Sequence, residues 1–166
     1  KAYRQKMEAT AKTPGTIVRD HGDVSAAMQA AARRFSQSYY QAHATHAAME
    51  PPVALADVRA DRAVIWAPLQ SPYDARLDIA DALGLPVEQV EVNVTLLGGA
   101  FGRKSKCDFA IEAALLSRAV GAPVRVQWTR EDDIRHSFYH TTSVERIEAS
   151  LDENGRVTGW LHRSGS

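Results

Sequence analysis

The residues best placed to do chemistry are Gly98-Gly99-Ala100-Phe101-Gly102. Glycines at this density let a main chain take positive φ or come close to a ligand. Free N–H groups in such a loop can meet an anion. The GxxxxGK[ST] and GxGxxG spacings are both absent, so neither nucleotide-loop pattern is present. From spacing alone, a tight strand-to-helix turn is the favoured explanation of the loop. Gln70, in Pro68-Leu69-Gln70-Ser71-Pro72, stands where its amide could aim at a ligand or simply face solvent. His43 and His46 have an HxxH spacing, but the segment reads as a strand, in which residues three apart point to opposite faces. A metal site there is rejected on that ground. Asp132, Asp133, His136 and His140 cluster near an expected turn. A carboxylate–histidine pair can do acid–base work, yet no nucleophile accompanies them, and solvated polar residues account for them too. Tyr139 is either a half-buried core aromatic or a pocket wall.

The elements that must position these residues can be read from periodicity and punctuation. Asp23 or Ser25 can cap a helix running to about Phe35, with Val24, Met28, Ala31 and Ala32 apolar. Residues 38–48 look extended, and strands follow over 53–58 and 63–66. Pro72 opens a helix over 73–83, which Gly84 closes and Pro86 prevents from resuming. Val90, Val92, Val94 and Leu96 alternate on one face of a strand. After the glycine loop a helix spans 108–120, ended by Gly121 and Pro123. A strand over 124–128, a helical turn over 131–134, and a hairpin around Asp152-Glu153-Asn154-Gly155 complete the chain. The expected fold class is α+β, a mixed sheet with helices packed on it.

Composition narrows the function classes. Hydrophobic residues make up 45% of the 166, enough for a core. Lys+Arg and Asp+Glu both number 20, so no basic excess points to nucleic acid. The longest apolar run is far short of a membrane span. Cys107 is the lone cysteine, which excludes an intrachain disulfide and a cysteine-built metal or iron–sulfur site. The chain begins at Lys1 and stops at Gly-Ser just after an apparent strand, and an internal piece of a longer protein is expected.

Taken in order, several segments form one pattern. Met49-Glu50-Pro51 follows a His-rich stretch, and Ile65-Trp66-Ala67-Pro68-Leu69-Gln70 is a strand ending in Gln. Leu83-Gly84-Leu85-Pro86 then precedes Val90–Leu97, Gly98–Lys104 and the alanine-rich helix, followed by Pro123-Val124-Arg125 and Thr129-Arg130-Glu131-Asp132. This series, over about residues 23–163, resembles the molybdopterin-binding large chain of the xanthine dehydrogenase and aldehyde oxidase family. It is most similar to the isoquinoline 1-oxidoreductase beta chain or aldehyde dehydrogenase type.

The resemblance implies a parent oxidoreductase that hydroxylates an aldehyde or N-heteroaromatic carbon with water as the oxygen source. Residues 1–20 would be a connector from a preceding domain, and 21–166 a partial molybdopterin-binding domain truncated at both ends. Gln70 would lie beside the molybdenum, and Gly99, Ala100, Phe101 and Gly102 would form the loop facing it. Tyr139 falls near the place of a substrate-binding Arg in purine-oxidising members, and Ser105 stands where those members carry a pocket Glu. Both departures argue against a purine substrate. No residue matches the general-base Glu, so the piece alone is expected to be inactive. The implied cofactor is molybdopterin, in its cytosine dinucleotide form, and the implied partner is a small [2Fe-2S] subunit. The compartment stays open between cytoplasm and periplasm. Two other functions remain: a scaffold module with a structural glycine loop, and an anion- or nucleotide-binding domain.

Overall fold

The computed structural model describes residues 2–165, and the chain divides into two compact units, residues 2–44 with 140–165 and residues 45–139.

The first unit is a three-stranded antiparallel sheet in the order β1 (Arg33–Gln41), β6 (Ser143–Leu151), β7 (Val157–Gly165). Residues 2–10, expected as part of a connector, form α1 (Ala2–Thr10). Met7 and Ala11 pack with Val144 and Tyr40. Asp23 caps α2 (Val24–Gln29) by accepting the Ala26 N–H at 2.9 Å. That helix was expected to run to about Phe35 but stops six residues earlier. Beyond it Arg33, Arg34 and Phe35 join β1 opposite Leu151, Ser150 and Ala149. Ladder pairing of a Phe- and Tyr-rich segment outweighs the weak apolar periodicity of the alanines. The expected extended stretch over 38–48 is shorter too, since β1 ends at Gln41 and residues 42–48 are irregular. At the β6–β7 hairpin the Asp152 carboxylate accepts the Asn154 and Arg156 N–H groups, both at 2.9 Å, an Asx turn that fixes the register. Gly159 tolerates no side chain: a Cβ would come within 2.6 Å of Ser150 Oγ and 2.9 Å of Ala27 Cβ.

The second unit holds a mixed sheet in the order β4 (Val90–Val94), β3 (Ala63–Ala67), β2 (Val53–Val58), β5 (Val124–Gln127). β3 pairs parallel with β4 and antiparallel with β2, and β2 pairs antiparallel with β5. The parallel pair needs a crossover, supplied by α3 (Pro72–Leu83). Pro72 opens α3, and Gly84 ends it in the left-handed region at φ 63°. Ala75, Ile79 and Leu83, four residues apart, form its buried stripe. The second packing helix, α4 (Asp108–Val120), buries Phe109, Ala110, Ala113, Ala114 and Ser117. Alanines on α4 meet Ala54 and Ala56 of β2 and Ala63 and Ala67 of β3 in one core, so helix and sheet approach closely. Ser117 Oγ is satisfied inside this core, accepting the Val58 N–H at 3.0 Å and donating to the Ala122 carbonyl at 2.8 Å.

The fold is thus the expected mixture of helices and a mixed sheet, with one further strand shortened. β4 ends at Val94 rather than Leu97, because its last ladder partner is Ala67, after which Pro68 takes the neighbouring strand away. Leu96 is left 95% exposed. Among the described residues no helix is long and apolar enough to cross a membrane.

Candidate functional site

The site lies within the second unit, where two loops leave the same side of the parallel strand pair. β3 delivers Pro68-Leu69-Gln70, and β4 delivers Gly98–Lys104. Two hydrogen bonds join the loops. The Gln70 N–H donates to the Lys104 carbonyl at 2.9 Å, and the Gly102 N–H donates to Gln70 Oε1 at 3.1 Å. That second bond fixes the amide orientation, since only its oxygen accepts. The Gln70 NH2 group donates to nothing among the described residues.

The loop has an unusual main chain. Gly99 (φ 94°), Phe101 (φ 56°) and Gly102 (φ 101°) lie in the left-handed region. For the aromatic residue this costs on the order of 1–2 kcal/mol. Phe101 remains 67% exposed while Ala100 is buried. The N–H groups of Gly99, Ala100 and Phe101 donate to no acceptor among the described residues. A Cβ on Gly99 would meet the Phe101 ring at 3.2 Å. Three consecutive free amides beside a free carboxamide NH2 make a donor-rich patch, suited to a group carrying several acceptor oxygens.

A frame of ion pairs, each with one buried partner, holds the loop, and apart from Asp133 its residues carried no sequence-based expectation of a role. The Glu50 carboxylate accepts the Gly98 N–H at 3.1 Å and the ammonium of fully buried Lys104. The Glu50 N–H donates back to the Gly98 carbonyl at 3.0 Å. Gly98 must be glycine, because a Cβ would fall 2.5 Å from Glu50 Cβ. Arg103, also buried, makes a two-pronged ion pair with Asp108, both bonds 2.8 Å. Its guanidinium lies 5.3 Å from the Trp128 ring centre and 5.2 Å from that of Phe138. Arg130 opens α5 (Arg130–His136), pairs with Asp133, and donates to the Ala48 and Met49 carbonyls beside Glu50. Two adjacent basic residues between a glycine loop and a helix N-terminus were the available signal, as was Met49-Glu50-Pro51.

The other sequence candidates scatter. Ser105 is exposed and donates to the Gly102 carbonyl at 2.6 Å, so it belongs to the loop. The Tyr139 hydroxyl donates to the Ile134 carbonyl at 2.6 Å, and its ring is half-exposed. It makes no hydrogen bond with Gln70 or the 99–102 loop among the described residues. His43 and His46 lie outside any strand and fall in different units, which replaces the opposite-face argument. The Asp132–His140 cluster splits: Asp132 and His136 stay together on α5, while Asp133 and His140 are committed elsewhere. Thr129 and Asp132 form a capping box on α5, and Asp133 is the buried partner of Arg130. Thr129 hydrogen bonds, from side chain and then backbone, hold the Asp132 carboxyl below its usual range. His140 belongs to the first unit.

Cys107 precedes α4 and is buried, donating its Sγ–H to Asp78 Oδ2 at 3.4 Å. Burial first, then the Asp78 bond, pushes its thiol up to about 12, which withholds the reactive thiolate. Iodoacetamide at about pH 8 is expected to leave the folded chain unmodified and to label Cys107 once urea unfolds it. Intact mass reads the result, and rapid labelling of the folded chain would contradict this placement.

Residues 9–164 match the molybdopterin cofactor-binding domain family. The chain is 35% identical over 143 residues to a nicotinate dehydrogenase subunit of Pseudomonas putida, covering 86% of the chain and 12% of that protein. It is 31% identical over 147 residues to PaoC, the molybdenum-binding subunit of an aldehyde oxidoreductase of Escherichia coli, covering 87% of the chain and 20% of PaoC. Among solved structures, quinoline 2-oxidoreductase from Pseudomonas putida matches with a TM-score of 0.71 at 23% identity, covering 86% of the chain and 18% of that chain. The chain therefore spans no more than a fifth of the length of these relatives.

Proposed function

The chain belongs to the molybdopterin cofactor-binding domain family, and from that premise we propose that it supplies one wall of a molybdenum site in a larger oxidoreductase acting on an aldehyde or N-heteroaromatic substrate. The observation that carries the reading is the donor patch of Gln70 and the 99–102 loop. Its residues fit the group: three free main-chain N–H groups and one free carboxamide NH2 match a ligand rich in acceptor oxygens. Gly99 leaves the main chain bare where a side chain would crowd Phe101. When bound, the cofactor supplies the oxidation of a substrate carbon, with water as the oxygen source.

The chain's own residues do the rest. Gln70, held through its Oε1 by the Gly102 N–H, offers Nε2 as a hydrogen-bond donor. The Gly99–Phe101 amides offer fixed donors that need no reorganisation as negative charge develops. The exposed Phe101 ring presents an apolar surface, and Ser105 and Tyr139 are proposed to line the substrate side. Neither position carries an ionic group, which suits an uncharged aromatic or aldehyde better than a purine. A general base is not among the residues assigned here, so the chain alone is proposed to be inactive. The same proposal includes the cytosine dinucleotide form of the cofactor and a small [2Fe-2S] protein as partner.

Molybdenum content tests it. The protein carrying this chain, purified from its own host, is expected to hold about one molybdenum per chain, with a pterin releasing CMP on hydrolysis. A clean preparation without molybdenum or pterin would leave the scaffold reading in front.

A further inference from the structure

We infer that Glu50 and the buried Lys104 form a charge clamp that positions the donor loop for its ligand. This inference rests on the cofactor reading above. The clamp joins the two ends of the loop. Glu50 takes the Gly98 N–H where the loop begins and the Lys104 ammonium where it ends. Between these points lie the three free amides and Gly102. Lys104 also carries the effect across to the second loop, since its carbonyl accepts the Gln70 N–H at 2.9 Å. One carboxylate thereby sets the spacing of both halves of the donor patch.

The energetics make the clamp asymmetric. Lys104 has a side-chain exposure of 0% and Glu50 of 31%. A buried ammonium that loses its carboxylate partner cannot reach water, whereas Glu50 can be rehydrated if the ammonium is removed. Arg130 secures Glu50 from behind, holding the Ala48 and Met49 carbonyls. Glu50 is therefore a positioning residue that acts through the loop, and nothing places it against a reacting atom.

The test compares Glu50→Gln, Lys104→Met and the double variant. Glutamine keeps an oxygen for the Gly98 N–H but strands the Lys104 charge. Hydrogen exchange of the protein carrying this chain, read by mass spectrometry, is expected to rise about tenfold or more in Glu50→Gln at the hydrogen-bonded amides of the 98–105 segment, those of Gly98, Gly102, Arg103 and Ser105. It should rise less in Lys104→Met and return toward the parent value in the charge-free double variant. Exchange in α4 should stay unchanged, which separates loosening of the loop from general unfolding. In the protein carrying this chain, molybdenum per chain should fall in Glu50→Gln and recover in the double variant.

Unchanged exchange over 98–105 in Glu50→Gln overturns the clamp. So does equal loosening of α4, or no rescue in the double variant. A loosened loop with full molybdenum content overturns its role toward the cofactor. Absence of molybdenum from the unmutated protein is a different failure. It removes the cofactor reading and with it the cofactor half of this inference, while the exchange data still decide the clamp.

Discussion

Replacing Gln70 with alanine is expected to lower kcat/KM of the molybdenum-loaded protein by about a hundredfold to a thousandfold, the loss seen when one fixed donor to developing negative charge is removed. Two effects combine. The cofactor side loses the Nε2 donor, and the Gly102 N–H loses its acceptor, so a main-chain group of the loop is freed from its present orientation. Gln70→Glu is a sharper probe. It keeps an oxygen for Gly102 but exchanges the NH2 donor for a second acceptor, and should be impaired at least as much as the alanine variant. Gln70 is exposed, so neither change should perturb folding greatly. Steady-state kinetics at matched molybdenum content decide the matter. Parent-like kcat/KM in both variants would remove Gln70 from the site.

Phe109→Ala should produce a large loss of stability, about 3–5 kcal/mol. Phe109 is fully buried at the start of α4, in the same core as Ile65, Ile79 and Ala56. The core it belongs to is rich in alanines, which have no side-chain freedom with which to collapse into the vacated space. The cavity therefore persists and its cost adds to the lost transfer energy. Urea denaturation should show a lower midpoint with an unchanged slope. Phe109→Leu, which refills most of the volume, should cost less than half as much. An alanine variant within about 1 kcal/mol of the parent would mean that this core is looser than the fold implies.

Local signals explain which elements were legible. α3 and α4 carry a proline start or a glycine stop, plus i, i+4 stripes, and they fall within a residue of expectation. The positive-φ backbone of the glycine loop was visible because glycine reports backbone conformation there, whereas Gln70 stood out only through the family resemblance. The misjudged boundaries at α2, β1 and β4 share a different cause. Each is set by a ladder partner far away in sequence: Leu151 for Arg33, and Ala67 for Val94. Nothing near Ala30 or Leu96 announces that partner. The ion-pair frame was hidden for the same reason. Glu50 reads as an ordinary solvated acid until Lys104 arrives beside it, fifty-four residues on. Conversely, the Asp132–His136 cluster looked chemical because its residues are close in sequence, yet a helix cap and an ion pair account for its two carboxylates.

The order of the chain has a consequence for how the protein is made. The first unit is interrupted between β1 and β6, and the break is narrow: the His140 N–H donates to the Ala44 carbonyl at 2.9 Å. The host sheet thus opens and closes at one point, and the length of chain between hardly strains it. On synthesis β1 must wait about a hundred residues for β6, a closure whose entropic cost grows only with the logarithm of the loop. If the intervening unit folds first, it draws the two ends of that loop together and shortens the search. Such a gate admits insertions, and a lineage could lengthen or trim the inserted unit while leaving the host sheet's pairing untouched.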